Sequence, residues 1–277
     1  MGEPVTCVHV NEAVTVEKLR SGVALVRLRD EVTKNGFSHA IVAGLVQAFT
    51  DIASQTSIRC VVLTGYGPYF ATGGLQDDLL AIQEGRASFV SLDGGHDVDV
   101  YRLPLDCPVP VVSAMQGHAI GGGLALGLMS DYALLARESY YSASFMSYGF
   151  TPGFGSTAVF PYKLGAVLGG EMLMSGRRYR GAELATRAVP YPVVPRAEVV
   201  DRAVDLAVEI ADAPRTSVVL LKEHLSAELR ERVANTVGRE LVMHDQTFPT
   251  DEVRQRILTR YEAQPQPRGN VYPEETP

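Results

Sequence analysis

Apolar and polar positions alternate over residues 14–19 (VTVEKL) and 23–28 (VALVRL), and Arg-Ser-Gly separates the two runs, so this stretch predicts a hairpin. Over residues 37–53 the apolar positions recur at helical spacing, with Ser38 placed to cap the start. RCVVLTG (59–65) is a continuous apolar run ending at glycine, the pattern of a strand buried on both faces. A glycine-rich loop (66–75) and a short helix (77–85) follow, then residues 86–100 without a clear period, read as a mobile loop. CPVPVVSAMQG (107–117) predicts a second buried strand, and GGGLALGLMSDYAL (121–134) a helix opening on three glycines. Further short strands are predicted at 140–144 and 189–194.

Strands alternating with helices imply βαβ units and a largely parallel sheet, hence an α/β class. From Arg196 helical patterns dominate, and from Gln264 the chain is rich in Pro, Glu and Gln, a composition that favours disorder. The expected division is a core over 1–195, a helical region over 196–263 and a tail over 264–277. No repeat at a solenoid period is present.

Composition narrows the partners. With 277 residues, 46% of them hydrophobic, the chain can bury a full core. A net charge of −7 argues against nucleic acid. No apolar run is long enough for a membrane span, and the N-terminus lacks the basic and apolar regions of a secretory signal. MGEPVT matches the N-myristoylation pattern at Gly2, a short pattern that often arises by chance. Cys7, Cys60 and Cys107 have neither metal spacing nor a disulfide framework, so reduced thiols and a cytoplasmic location are expected. The only lysines are Lys18, Lys34, Lys163 and Lys222.

Two glycine-rich turns carry the candidate chemistry. GHAIGGGLALG (117–127) has G-x-x-x-G-G-G spacing and follows several elements, which does not fit a dinucleotide fingerprint. FATGG (70–74) and AIGGG (119–123) each place glycines where a buried strand ends. Backbone without Cβ can approach a ligand closely, so two such turns can aim two amides at one oxygen. Taken singly, each is more simply a tight turn that lets a helix pack on a strand.

VVLTGYGPYFATGG, PVPVVSAMQGHAIGGGLALGLMSDYAL and YGFTPGFGST, in this order and separation, resemble the crotonase (enoyl-CoA hydratase/isomerase) superfamily, over about residues 14–261. That resemblance implies a spiral ββα core, a helical C-terminal region packing across subunits, and a homotrimer or hexamer. It places the oxyanion amides on Gly74 and Gly122 and needs no cofactor or metal. The two glutamates of the hydratases fall by motif on Ala125 and Phe145, neither able to act as the general base that hydration requires. The anion-stabilising half of the site is therefore expected without the water-activating half. Decarboxylation needs an enolate but no activated water, and Ala125 and Phe145 would give a dry pocket without carboxylates beside the amides.

LDCPVPVVSAMQGHAIGGG, SFMSYGFTPGFG, YRGAELATRAVPYPVVPR and MHDQTFPTDEVRQRI resemble the decarboxylases of polyketide β-branching. The resemblance implies a 3-methylglutaconyl-type substrate on the phosphopantetheine arm of an acyl carrier protein, or a CoA thioester. It also implies a late histidine, matched by His244, that protonates the dienolate or holds the departing carboxylate; without the resemblance His244 reads as a polar residue at a helix end. Relatives use a lysine after the first oxyanion turn, which this chain lacks; Gln76, Gln83 and Arg86 are the polar candidates there, and Arg86 is the cation among them. His118 reads as structural or as lining the acyl tunnel, Asp77 and Asp78 as serving a helix N-terminus, and His96 as facing solvent. Tyr140, Tyr141, Tyr148 and Tyr162 read as packing residues, with Tyr148 able to reach the pocket. Alternatives are another crotonase reaction, hydration or isomerisation, and an inactive acyl-thioester-binding scaffold.

Overall fold

The computed structural model describes residues 6–86 and 99–262. The predicted loop at 86–100, with His96, and the predicted tail lie largely or wholly outside the described residues, as does Gly2. The chain starts with β1 (Thr6–His9), β2 (Val14–Lys18) and β3 (Val23–Leu28), which pair antiparallel in turn. The 14–28 hairpin is found as predicted; β1 was not. α1 (His39–Ser54) follows, and the Ser38 hydroxyl accepts from the Ile41 amide at 3.3 Å, the cap the sequence suggested. Its Ile41, Leu45, Ala48, Phe49 and Ile52 are buried on one face.

Next come β4 (Cys60–Thr64), β5 (Tyr69–Ala71), α2 (Gln76–Gln83), α3 (Leu103–Asp106), β6 (Val111–Met115), β7 (His118–Ile120) and α4 (Gly122–Leu128). β8 (Tyr132–Ala136), β9 (Tyr140–Ser142), α5 (Phe145–Tyr148), α6 (Ser156–Leu164), α7 (Ala166–Ser175), β10 (Tyr179–Arg180), α8 (Gly181–Thr186) and β11 (Val193–Val194) follow. The predicted helix over 121–134 is thus corrected: it ends at Leu128, and β8 begins four residues later. Buried apart from the half-exposed Asp131 and Tyr132, LALGLMSDYALLA has no period to mark the break. Ser130 and Asp131 make the break, the Asp131 carboxylate accepting from the Val111 amide at 2.7 Å and pairing with buried Lys222 at 2.8 Å.

The main sheet runs β1-β2-β3-β4-β6-β8-β11, parallel from β3 onward. Alternate residues of its central strands serve different layers. Val61, Leu63, Val111 and Met115 enter the large core, while Cys60, Val62, Val112 and Ala114 face the other side. That side is covered by α9 (Val199–Asp212), through Val199, Ala203, Ala207 and Ala211 at strict i, i+4 spacing. A second sheet, β10-β9-β7-β5, is built from strands of two or three residues; β9 lies within the strand expected at 140–144, and the other three are too short to show a period in sequence. α10 (Arg215–Thr247) and α11 (Asp251–Glu262) complete the described chain. Among the described residues no helix is long and apolar enough to cross a membrane.

Candidate active site

β5 and β7 are parallel neighbours, with Tyr69 opposite His118 and Ala71 opposite Ala119. They end at the same edge, so the turns after them emerge side by side. Gly73 adopts φ +75°, and a Cβ there would lie 2.8 Å from the Gly122 nitrogen and 3.0 Å from the Ile120 oxygen. Only glycine allows the turns to approach this closely. Gly122 is the first helical residue of α4, a position whose amide has no partner inside its own helix. The first turn is pinned from the far side: the Phe37 amide donates to the Gly73 carbonyl at 2.8 Å, and Asn35 donates to the Tyr69 and Phe70 carbonyls at 3.0 and 3.2 Å.

Gly74 opens on a cavity of about 720 Å³, counted out to its open mouth, whose wall includes Phe37, Tyr101, Phe154 and His244. The Phe37 and Phe154 rings also flank Gly122, within 2.9 and 3.1 Å of where its Cβ would be. Gly74, Gly122 and His244 therefore belong to one neighbourhood. His244 is buried on α10, and its Nε2 lies 2.8 Å from the Thr151 carbonyl. A carbonyl only accepts, so Nε2 carries a hydrogen and Nδ1 is the nitrogen that gains and loses the second proton. Burial lowers the His244 pKa below its ordinary value, outweighing the contrary effect of the Thr151 hydrogen bond.

The expectation of a pocket free of carboxylates is corrected: Asp78, Asp99 and Glu240 line the cavity. Glu240 is fully committed, accepting from the Gly155 amide at 2.7 Å, the Thr157 amide at 2.8 Å and the Thr157 hydroxyl at 2.7 Å. Burial still pushes its pKa up. Asp99 bonds to the Tyr101 phenol, which burial and then Asp99 drive upward. Asp78 is half-buried, and burial and then its neighbour Asp77 raise its pKa. Position in sequence could not place Glu240 here, although it stands one helical turn before His244.

The remaining predicted residues lie apart from the cavity lining. Ala125 and Phe145 are buried in the core, Phe145 as the first residue of α5, edge-on to Phe150 at 6.3 Å. Gln76 starts α2, and the Gln83 amide reaches the Thr250 carbonyl at 3.5 Å. Arg86 is exposed and paired with Glu84 at 2.5 Å, an acid that also pairs with Arg254 at 3.0 Å. His118 lies on the second sheet between Tyr69 and Tyr140, ring centroids 5.3 and 5.5 Å away, and its Nδ1 accepts from the Tyr140 amide at 3.0 Å. Burial, then Arg196 and Arg178, lower its pKa to about 4. Tyr141 is in the core, its hydroxyl donating to the Met115 carbonyl at 2.8 Å, and Tyr148 stacks on Phe150. Among the described residues no group of three or more His, Cys, Asp or Glu side chains is placed to hold a metal ion.

Glycine turns in contact beside the cavity agree with the family comparison, in which the enoyl-CoA hydratase/isomerase family matches residues 18–268. The chain belongs to the enoyl-CoA hydratase/isomerase family. Within it, the chain is 46% identical over 251 residues to the bacillaene synthase decarboxylase PksI of Bacillus subtilis (strain 168), covering 91% of this chain and 98% of that one. A solved structure from a dehydratase/decarboxylase enzyme couple involved in polyketide β-branching superposes with TM-score 0.88 at 45% identity, covering 92% of this chain and 99% of that chain. The ECH2 decarboxylase domain of CurF from Lyngbya majuscula gives TM-score 0.84 at 40% identity over 90% of this chain and 100% of its own. These matches identify the crotonase fold and a crotonase-family decarboxylase.

Proposed function

We propose that this enzyme removes CO₂ from a 3-methylglutaconyl-type thioester on an acyl carrier protein, during polyketide β-branching, with the thioester oxygen held by the Gly74 and Gly122 amides. The observation that carries the reading is the contact between the two glycine turns, beside a cavity that His244 also lines. The substrate class rests on likeness to decarboxylases of polyketide synthesis.

When the C–C bond to the carboxylate breaks, its electron pair moves through the conjugated system to the thioester oxygen. Two amides aimed there stabilise the dienolate, each donor contributing on the order of 3 kcal/mol. The dienolate then needs one proton. His244 is neutral near pH 7 in the free enzyme because burial depresses its pKa. A bound substrate carboxylate raises that pKa, so the imidazole takes up a proton with the substrate and gives it up after CO₂ leaves. Ala125 and Phe145 act as packing behind the site, where hydratases place their acids.

Exposed Leu220, Leu221 and Leu225 on α10 support association of copies, as a trimer or hexamer. The free, buried Cys60 and Cys107 suit a cytoplasmic setting. A second reading, hydration or isomerisation with Asp78 as base, is favoured by one observation: Asp78 lines the cavity with a raised pKa. Incubating the protein with 3-methylglutaconyl carrier protein and weighing the product separates them. Loss of the mass of CO₂ supports decarboxylation, gain of the mass of water supports hydration, and an unchanged mass with no double-bond shift supports a scaffold.

A further inference from the structure

Three side chains on one face of α10, Glu240, His244 and Thr247, follow i, i+4, i+7 spacing and grip a single segment, residues 151–157. The Thr247 hydroxyl meets the Thr151 hydroxyl at 3.2 Å and the Thr151 amide at 3.4 Å. His244 Nε2 donates to the Thr151 carbonyl at 2.8 Å. The Glu240 carboxylate collects the Gly155 amide at 2.7 Å and, through its other oxygen, the Thr157 amide and hydroxyl at 2.8 and 2.7 Å.

The gripped segment is under strain. Phe154 and Gly155 are consecutive left-handed residues, at φ 61° and 68°. An L side chain rarely adopts this conformation, and it persists only where the surroundings enforce it. What it achieves is the placing of the Phe154 ring: edge-on to Phe37 at 6.2 Å, against Tyr101 at 4.9 Å, and over the site of Gly122. The same segment leaves Gly153 against the His244 ring with no room for a side chain. Glu240 itself is 1% exposed, a buried anion whose hydrogen bonds all come from this turn and the first turn of α6.

We propose that Glu240 is a positioning residue: its carboxylate holds the left-handed turn at Phe154–Gly155, and so sets both the wall against the Gly122 amide and the Thr151 carbonyl that fixes the His244 tautomer. This rests on the reading of His244 as the proton donor and Gly122 as an oxyanion donor. The carboxylate is needed because it only accepts. A glutamine would turn an NH₂ group toward amide donors, leaving one side of the clamp unmatched.

The test uses the full chain labelled with ¹⁵N-histidine, the His244 ring signals being assigned through His244→Asn. In the wild type Nε2 is expected protonated and Nδ1 bare at pH 7.5. In Glu240→Gln the two ring shifts should move toward each other as the tautomer is released. The turnover of the carrier-borne substrate should fall on the order of 10²-fold, as a displaced catalytic group produces, while binding of an unreactive thioether analogue changes little. Thr157→Val, which removes one hydroxyl, should show the same pattern more weakly and serves if Glu240→Gln folds poorly. A His244 tautomer that stays fixed in both variants overturns the proposal, as does a released tautomer with unchanged turnover. If the wild type does not decarboxylate at all, the proposed reaction fails, but the ring shifts still decide whether Glu240 fixes His244.

Discussion

The two sides of the cavity are built in opposite ways. The side with the Gly74 and Gly122 turns is backbone, set by strands β5 and β7 that lie next to each other and by Gly73, whose positive φ and contact with the Gly122 nitrogen leave no room for a side chain. The side with His244 and Glu240 is made of side chains on one long helix, which reach partners 83 to 93 residues earlier in the chain. A backbone site is fixed by local conformation and tolerates almost no substitution. A side-chain site is fixed by packing at a distance, and its members can be removed singly while the fold survives. That contrast predicts where mutation is catastrophic and where it is graded.

The largest expected effect is at the contact between the turns. Gly73→Ala drives a methyl group to within 2.8 Å of the Gly122 nitrogen and strains a positive φ, so both amides lose their aim. Decarboxylation, measured by CO₂ release, should fall by at least about 10³-fold, the scale of losing an oxyanion donor. A rate within a few-fold of wild type would mean that the backbone side is not the anion site.

On the side-chain half, His244→Ala should lower turnover on the order of 10²-fold, the usual contribution of one general acid, with the fold retained. The pH dependence sharpens this. In the free enzyme the His244 pKa lies below 6.5, so kcat/KM should decline as pH rises above that depressed value, because the protonated form becomes rare. In the complex the substrate carboxylate raises the pKa, so kcat should hold to higher pH before declining. A kcat/KM that rises through this range would instead indicate a base.

Asp78→Asn should cost less than His244→Ala, since decarboxylation needs no water-activating base. Abolished turnover in Asp78→Asn, together with a product heavier by water, would move the assignment to the second reading.

How much of this was legible beforehand follows the same division. The two turns could be read from the chain because their close approach demands glycine at Gly73, and FATGG and AIGGG display the glycines. His244 was readable only through resemblance, and Glu240 not at all, because on α10 a polar residue looks the same whether it faces solvent or a clamp. Ala125 and Phe145 are buried in the core, and the carboxylate-free cavity inferred from them is not what the structure holds. Asp78, Asp99 and Glu240 enter its wall from three separate segments. The break at Ser130–Asp131 was hidden for a related reason: burial of nearly every residue around it erases periodicity, and an ion pair with Lys222 marks the boundary instead.

The smallest effect is expected away from the cavity. His118 is held at about pKa 4 against an ordinary 6.5, so the fold favours its neutral form. Its contribution to stability is fully present above pH 6.5, and shrinks as pH falls toward 4. Melting temperatures recorded over that window should fall more in the wild type than in His118→Asn, with turnover at neutral pH little changed. Equal slopes would show that His118 does not carry this linkage.

The most direct measurement is a crystal structure with an unreactive enolate-like thioester analogue bound. Its oxygen is expected within about 2.7–3.1 Å of both the Gly74 and Gly122 nitrogens, with the His244 ring on the side of the carbon to be protonated. An analogue seated in the cavity with its oxygen bound elsewhere, or by only one of the two amides, would contradict it.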